Sequence, residues 1–276
     1  MKALINVLKI IGVFFVLLVL VILSQVLGQL WHFIHMGGLE YILHGLTYGV
    51  VALLLIKLFV NKGLKKDLAY FRINHFRIYL LPLGLAILAP IIAIGSTLLF
   101  VPGEFVMTDL DNGIAFFKMF IEIVFTGGII APIVVETMFR GVLLKYIEDK
   151  TNIVVAIGVP SFLFGLVHIL NGISSVTEFF LLIIAGTTVG IMFGVTAYLY
   201  HSIWASCIIH MFWNMSDLIH ITTEKENYGF VQYIMDTNHP LFTGGGYGVD
   251  TSIFAIISYI IVIAVLLIVH KMKKTV

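Results

Sequence analysis

The sequence predicts an all-α fold: a polytopic membrane helix bundle of about eight transmembrane helices, with both termini cytoplasmic. Three observations carry that prediction. Hydrophobic residues make up 60% of the 276 and charged residues only 11%, whereas a soluble domain is about 25% charged. Apolar runs approaching the roughly 20 residues that cross a bilayer recur along the whole chain. Lysine and arginine collect in alternate connections, as the positive-inside rule requires.

The runs fall at 8–30, 40–60, 79–101, 114–148, 152–170, 176–199, 202–221 and 251–270. The first follows Lys2 and Lys9 in the manner of a signal peptide. It is too long for an h-region and has no A-x-A cleavage site, so it reads as a retained span. The connection 61–78 carries Lys62, Lys65, Lys66, Arg72 and Arg77, and 145–150 carries Lys145 and Lys150. The N-terminus and the tail KMKKTV are basic too, while the opposite loops are acidic (Glu104, Asp109, Asp111) or near neutral. Eight spans put every basic segment on one face.

Residues 1–276 therefore read as a single integral membrane domain. A net charge of +1 gives no reason to expect nucleic acid as a partner. Cys207 is the only cysteine, which excludes an intramolecular disulfide and a cysteine-based metal cluster, and it reads as a small packing residue. The glycine-rich stretch 243–247 lacks a following Lys-Ser/Thr, so it is expected to be a flexible connection rather than a phosphate cradle. Run four is too long for one simple span. Thr126-Gly127-Gly128 followed by Pro132 predicts a break there, preceded by an interfacial piece with Lys118 and Glu122 one turn apart.

Chemistry concentrates in three helices. An ionisable group at the centre of a span costs about 2.5–3.5 kcal/mol on insertion scales and persists when paired or working. Run four places Glu136 and Arg140 one turn apart in APIVVETMFRG, run five places Phe164 and His168 at the same spacing, and run seven places His210 and Asn214 likewise. Each pair alone has a structural explanation: an ion pair that neutralises itself, a satisfied core histidine, a His/Asn pair that glues helices. Three core helices each carrying such a group point instead to a site that binds and activates water.

These residues resemble the CPBP family, the CAAX proteases and bacteriocin-processing enzymes also called the Abi family. Its signatures are a Glu-Glu-x-x-x-Arg helix, a Phe-x-x-x-His helix and a His-x-x-x-Asn helix. Here they appear in order as VETMFRG at 135–141, FGLVH at 164–168 and HMFWN at 210–214, within a motif core of residues 129–214. The resemblance implies that Glu136 is the second glutamate of the first motif and Arg140 its arginine. His168 would hold the attacking water, His210 and Asn214 would polarise the scissile carbonyl as an oxyanion hole, and Phe164 would shape the substrate pocket. The departure is Val135, which stands where the family has its first glutamate, the residue assigned to activate water. Adjacent helical positions point about 100° apart, so Glu136 does not inherit that direction. Either Glu136 is recruited by a small helix rotation, or hydrolysis is weak or lost.

The expected function is intramembrane endopeptidase activity on a membrane-associated protein or peptide, in the plasma membrane of a bacterium. The alternative is an inactive pseudoprotease serving as a bacteriocin-immunity or regulatory membrane protein; a transporter is less consistent, because no broken-helix pattern repeats in the two halves. No cofactor is expected. Zn²⁺ held by Glu136, His168 and His210 is the alternative, disfavoured by the guanidinium of Arg140 beside that carboxylate.

Overall fold

The computed structural model describes residues 2–110 and 112–275; Asp111, counted above among the acidic loop residues, lies outside them. Helix α1 spans Lys2–Gln29, α2 Leu39–Leu58 and α3 Leu80–Phe100. Helix α4 runs over Gly113–Glu148 without interruption. It is followed by α5 (Ile153–Val167), α6 (Val176–Tyr200), α7 (Ile203–Met215) and α8 (Ile253–Thr275). Among the described residues, seven helical stretches are long and apolar enough to cross a membrane. The eighth, α7, is only 13 residues long.

Helix α7 nevertheless runs from one face to the other. At its start, Ser202 Oγ donates to Asn74 Oδ1 (2.8 Å) and Trp204 Nε1 donates to the Asn74 carbonyl (2.7 Å), so it begins beside the 61–79 connection that precedes α3. Beyond its end, the chain enters a small sheet whose first strand follows α3. The strands are β1 (Gly103–Met107), β2 (Ile219–Thr222) and β3 (Val231–Met235), in the order β1-β3-β2, with β1 antiparallel and β2 parallel to β3. Helix α7 thus parallels α3, against which it packs. The expected run 202–221 ends early as helix because residues from 219 pair with β3, and the sheet itself was not expected.

The opposite face carries the basic connections. Arg72 Nη2 meets Glu148 Oε2 at 2.7 Å, and Tyr70 Oη donates to Asp149 Oδ2 at 2.7 Å, tying 61–79 to the end of α4. Large apolar side chains remain exposed all along the outer helices, Leu4, Val19, Leu54, Ile91 and Ile268 among them. A water-facing surface would not leave so extensive an apolar belt bare, whereas lipid covers it. The chain is a multi-pass membrane protein.

The expected break in α4 is absent. Residues Ile121–Ile130 form a π-helical stretch, Ala131–Glu136 return to α, and Thr137–Leu143 widen to π again. Pro132 explains the need for help. The Ala131 N–H bonds back to the Thr126 carbonyl, so in this five-residue ladder the Gly127 carbonyl would next receive residue 132, which has no N–H. The Asn214 amide donates to that carbonyl at 2.8 Å instead, which keeps the helix continuous. Lys118 does not pair with Glu122: its Nζ lies 3.0 Å from Glu40 Oε1 on α2.

Helices α5 and α6 approach through glycine. A Cβ on Gly186 would lie 2.6 Å from the Gly165 Cα, and one on Gly190 would lie 2.8 Å from the Ser161 Cα. With Gly194, these residues form a Gly-x-x-x-Gly-x-x-x-Gly face along α6, the small-residue spacing that lets membrane helices pack backbone to backbone.

Candidate active site

Glu136 is fully buried, and Arg140 is 1% exposed. Arg140 Nη1 lies 3.3 Å from Glu136 Oε1, and Nη2 donates to the Gly190 carbonyl at 3.2 Å. The rest of the guanidinium is covered by aromatic faces, at 4.6 Å from the Phe164 ring centre and 5.1 Å from that of Phe193. Two charges in a dry core are tolerated because the carboxylate, a carbonyl and the ring quadrupoles together replace water.

The same carboxylate oxygen also receives His210: Nδ1 to Glu136 Oε1 is 2.9 Å. An ionised carboxylate only accepts, so Nδ1 carries the proton. The Phe193 ring stacks on the imidazole at 4.6 Å and 15°, fixing its plane. On α5, His168 Nδ1 meets the Phe164 carbonyl at 2.7 Å and must donate there too. In the neutral form of each ring, Nε2 is then a lone-pair acceptor. Phe164 stands between the two imidazoles, 4.6 Å from His168 and 6.1 Å from His210, ring centre to ring centre.

His168, His210, Asn214 and Phe164 line one cavity of about 90 Å³, room for on the order of three waters. Four of the residues expected at the site therefore converge. Glu136 and Arg140 do not line it; they sit behind His210. Val135 is also absent from the wall and packs against the main core. Of the three ligands expected for zinc, Glu136 lies off this wall, its Oε1 taken by Arg140 Nη1 and His210 Nδ1. Among the described residues, no group of three or more His, Cys, Asp or Glu is placed to hold a metal ion.

The sequence reading missed one wall of this cavity. The glycine-rich stretch is no loose connection. Gly244, Gly245 and Gly248 adopt φ of +77°, +65° and +64°, which only glycine takes readily. The turn they form is docked: the Gly246 N–H donates to Glu178 Oε1 at 2.8 Å, and Tyr247 Oη lies 2.7 and 2.6 Å from the His168 and Gly172 carbonyls, which share its one proton. It carries Asp250 to the cavity wall, where Trp213 Nε1 donates to Oδ1 at 2.9 Å. The signal available was an aspartate immediately before the last apolar run, reached through a stretch that only glycine could fold so tightly.

Asp250 also lines a second, polar cavity of about 290 Å³, with Asp217, His220, Thr222, Glu226 and Tyr247. Burial pushes the His220 imidazole below its ordinary range, although Glu226 lies 3.5 Å away and opposes the shift. A third cavity of about 930 Å³ lies along α1, α2 and α4 and reaches Gly127, the residue whose carbonyl Asn214 holds.

One comparison with known proteins finds a similarity in this region. Residues 114–216 match the family model of the Rce1-like type II CAAX prenyl endopeptidases. The resemblance to the CAAX proteases drawn from the three short motifs is borne out by this match. The Rce1-like region begins on the first turn of α4 and ends just past α7, so it contains the Glu136–Arg140 pair, both histidines and Asn214. Asp250 lies outside it. No curated protein and no solved structure matches the chain.

Proposed function

We propose that the protein is an intramembrane endopeptidase that hydrolyses a peptide bond in a membrane-associated protein or peptide, without a metal. The observation that carries this reading is the Glu136–His210 hydrogen bond at 2.9 Å, behind a cavity that His210 shares with His168 and Asn214. Glu136 holds His210 in one tautomer, and Arg140 keeps Glu136 ionised. An Nε2 lone pair on the cavity wall holds and polarises a water. Asn214 has two amide protons, of which one is spent on Gly127; the other is available to a carbonyl oxygen on which negative charge develops. The 930 Å³ cavity has room for an extended peptide and reaches Gly127, whose carbonyl Asn214 holds. The basic connections around Arg72 and Lys145 support a cytoplasmic placement for that face and for both termini.

The test compares purified wild type with His168→Ala and His210→Ala on a quenched library of membrane peptides. Turnover is expected to fall about 10²–10⁴-fold in each variant, the usual contribution of a positioned acid or base. Equal processing by all three removes the enzyme reading.

Val135→Glu separates an intact site from a decayed one. The side chain at 135 packs against the core and is not on the cavity wall, so a carboxylate there gains no water to activate and must instead be accommodated at an apolar contact. The expected result is lower thermal stability and no gain in turnover. A large gain would instead support a pseudoprotease that lost its base.

A further inference from the structure

We propose that Asp250 is a catalytic residue of this site, the carboxylate that takes the proton from the attacking water. The inference rests on the hydrolase reading and supplies what that reading lacks. Val135 has no carboxylate, and Glu136 has one that is sealed in the core and committed to Arg140 and His210. Among the described residues, Asp250 is the one carboxylate on the wall of the cavity that holds His168, His210 and Asn214.

Three features fit it to the task. The residue borders open cavity space, although the flanking Val249 and Thr251 are buried. No lysine or arginine forms an ion pair with it among the described residues, so no cation competes with water for the carboxyl group. Its position is fixed: Trp213 Nε1 donates to Oδ1 at 2.9 Å, Tyr259 Oη donates to its backbone carbonyl at 3.0 Å, and Thr251 Oγ1 donates to the Gly244 carbonyl at 2.6 Å. Oδ2 has no protein partner among the described residues. Asp250 lines both the histidine cavity and the polar one, which gives water a path to it from the sheet-bearing side.

The step balances without a further reactant. Water donates one hydrogen bond to Asp250 Oδ2 and the other to a histidine Nε2. As the carboxylate accepts the proton, the oxygen forms a bond to the carbonyl carbon, and the carbonyl π pair moves to its oxygen beside the free Asn214 N–H. When the tetrahedral species collapses, the C–N bond breaks and the departing nitrogen takes that proton. The carboxylate is restored, with one water consumed per bond cut.

Asp250→Asn is the decisive variant, because its amide oxygen still accepts from Trp213 and fills the same volume. On the peptide library, kcat is expected to fall at least 100-fold with KM within about threefold of wild type, and the melting temperature should stay within a few degrees. Asp250→Glu, which keeps the acid but moves it by one methylene, should retain more activity than Asp250→Asn. Wild-type kcat in Asp250→Asn, with His168→Ala and His210→Ala dead, overturns this proposal and leaves the hydrolase reading standing. A wild type that cleaves nothing, or variants that all match it, removes both. Independently of any substrate, carbodiimide-driven coupling of a small amine to the folded protein should label Asp250; failure to label it overturns the proposal.

Discussion

Glu136→Ala should destabilise the protein by about 3–5 kcal/mol, the usual cost of removing one member of a buried ion pair. Its partner cannot escape. Arg140 is 1% exposed and is boxed in by Phe164, Phe193 and the Gly190 carbonyl, so the guanidinium would keep its charge and lose the counter-ion it has among the described residues. His210 would lose the acceptor for Nδ1 in the same substitution. The loss is measured by reversible unfolding in mixed micelles. A double variant, Glu136→Leu with Arg140→Met, tests the explanation: with both charges gone, apolar packing should recover most of the stability while turnover stays abolished. If the double variant is less stable than Glu136→Ala, the buried-charge account is wrong and the pair contributes shape rather than electrostatics.

Gly186→Leu should be as damaging for a steric reason. Even the first added carbon would lie 2.6 Å from the Gly165 Cα, which is backbone and cannot rotate away. Overpacking a core costs about 1–3 kcal/mol when side chains can adjust; here α5 and α6 must separate, and the cost should exceed that range. Separation also carries His168 away from His210 and draws the Gly190 carbonyl off Arg140. Activity should therefore vanish at temperatures where the variant is still helical by circular dichroism. Gly158→Leu is the control: a Cβ there meets nothing within 4 Å, and stability should hold or rise. Equal loss in both variants would mean that generic helix disruption, not the α5–α6 contact, is responsible.

The sequence made the bundle legible because lipid imposes a simple rule: long apolar runs and a one-sided distribution of Lys and Arg. It revealed Glu136, Arg140, His168, His210 and Asn214 for the same reason, since a polar group in an oily run is conspicuous. What the polar groups do to one another was hidden. Nothing in local spacing says that Glu136 serves His210 across 74 residues, or that Asn214 completes a ladder left open by Pro132 across 87. Asp250 was missed because it borders a loop, where an aspartate is ordinary. The sheet was missed because its strands are four or five residues long and pair β1 with β3 across more than a hundred residues. The glycines of α6 looked like loose punctuation, although their spacing of four already described a contact face.

The buried ion pair has a consequence for how the chain is made. Helix α4 leaves the ribosome carrying two charges that hydrocarbon penalises by about 2.5–3.5 kcal/mol each. The carbonyl that receives Arg140 is synthesised 50 residues later, and the imidazole that receives Glu136 another 20 after that. Until α7 emerges, α4 has reason to linger beside the translocon rather than partition alone into lipid. The middle of this protein should therefore enter the bilayer as a cohort of four helices, and truncating translation before residue 210 should leave α4 extractable at alkaline pH.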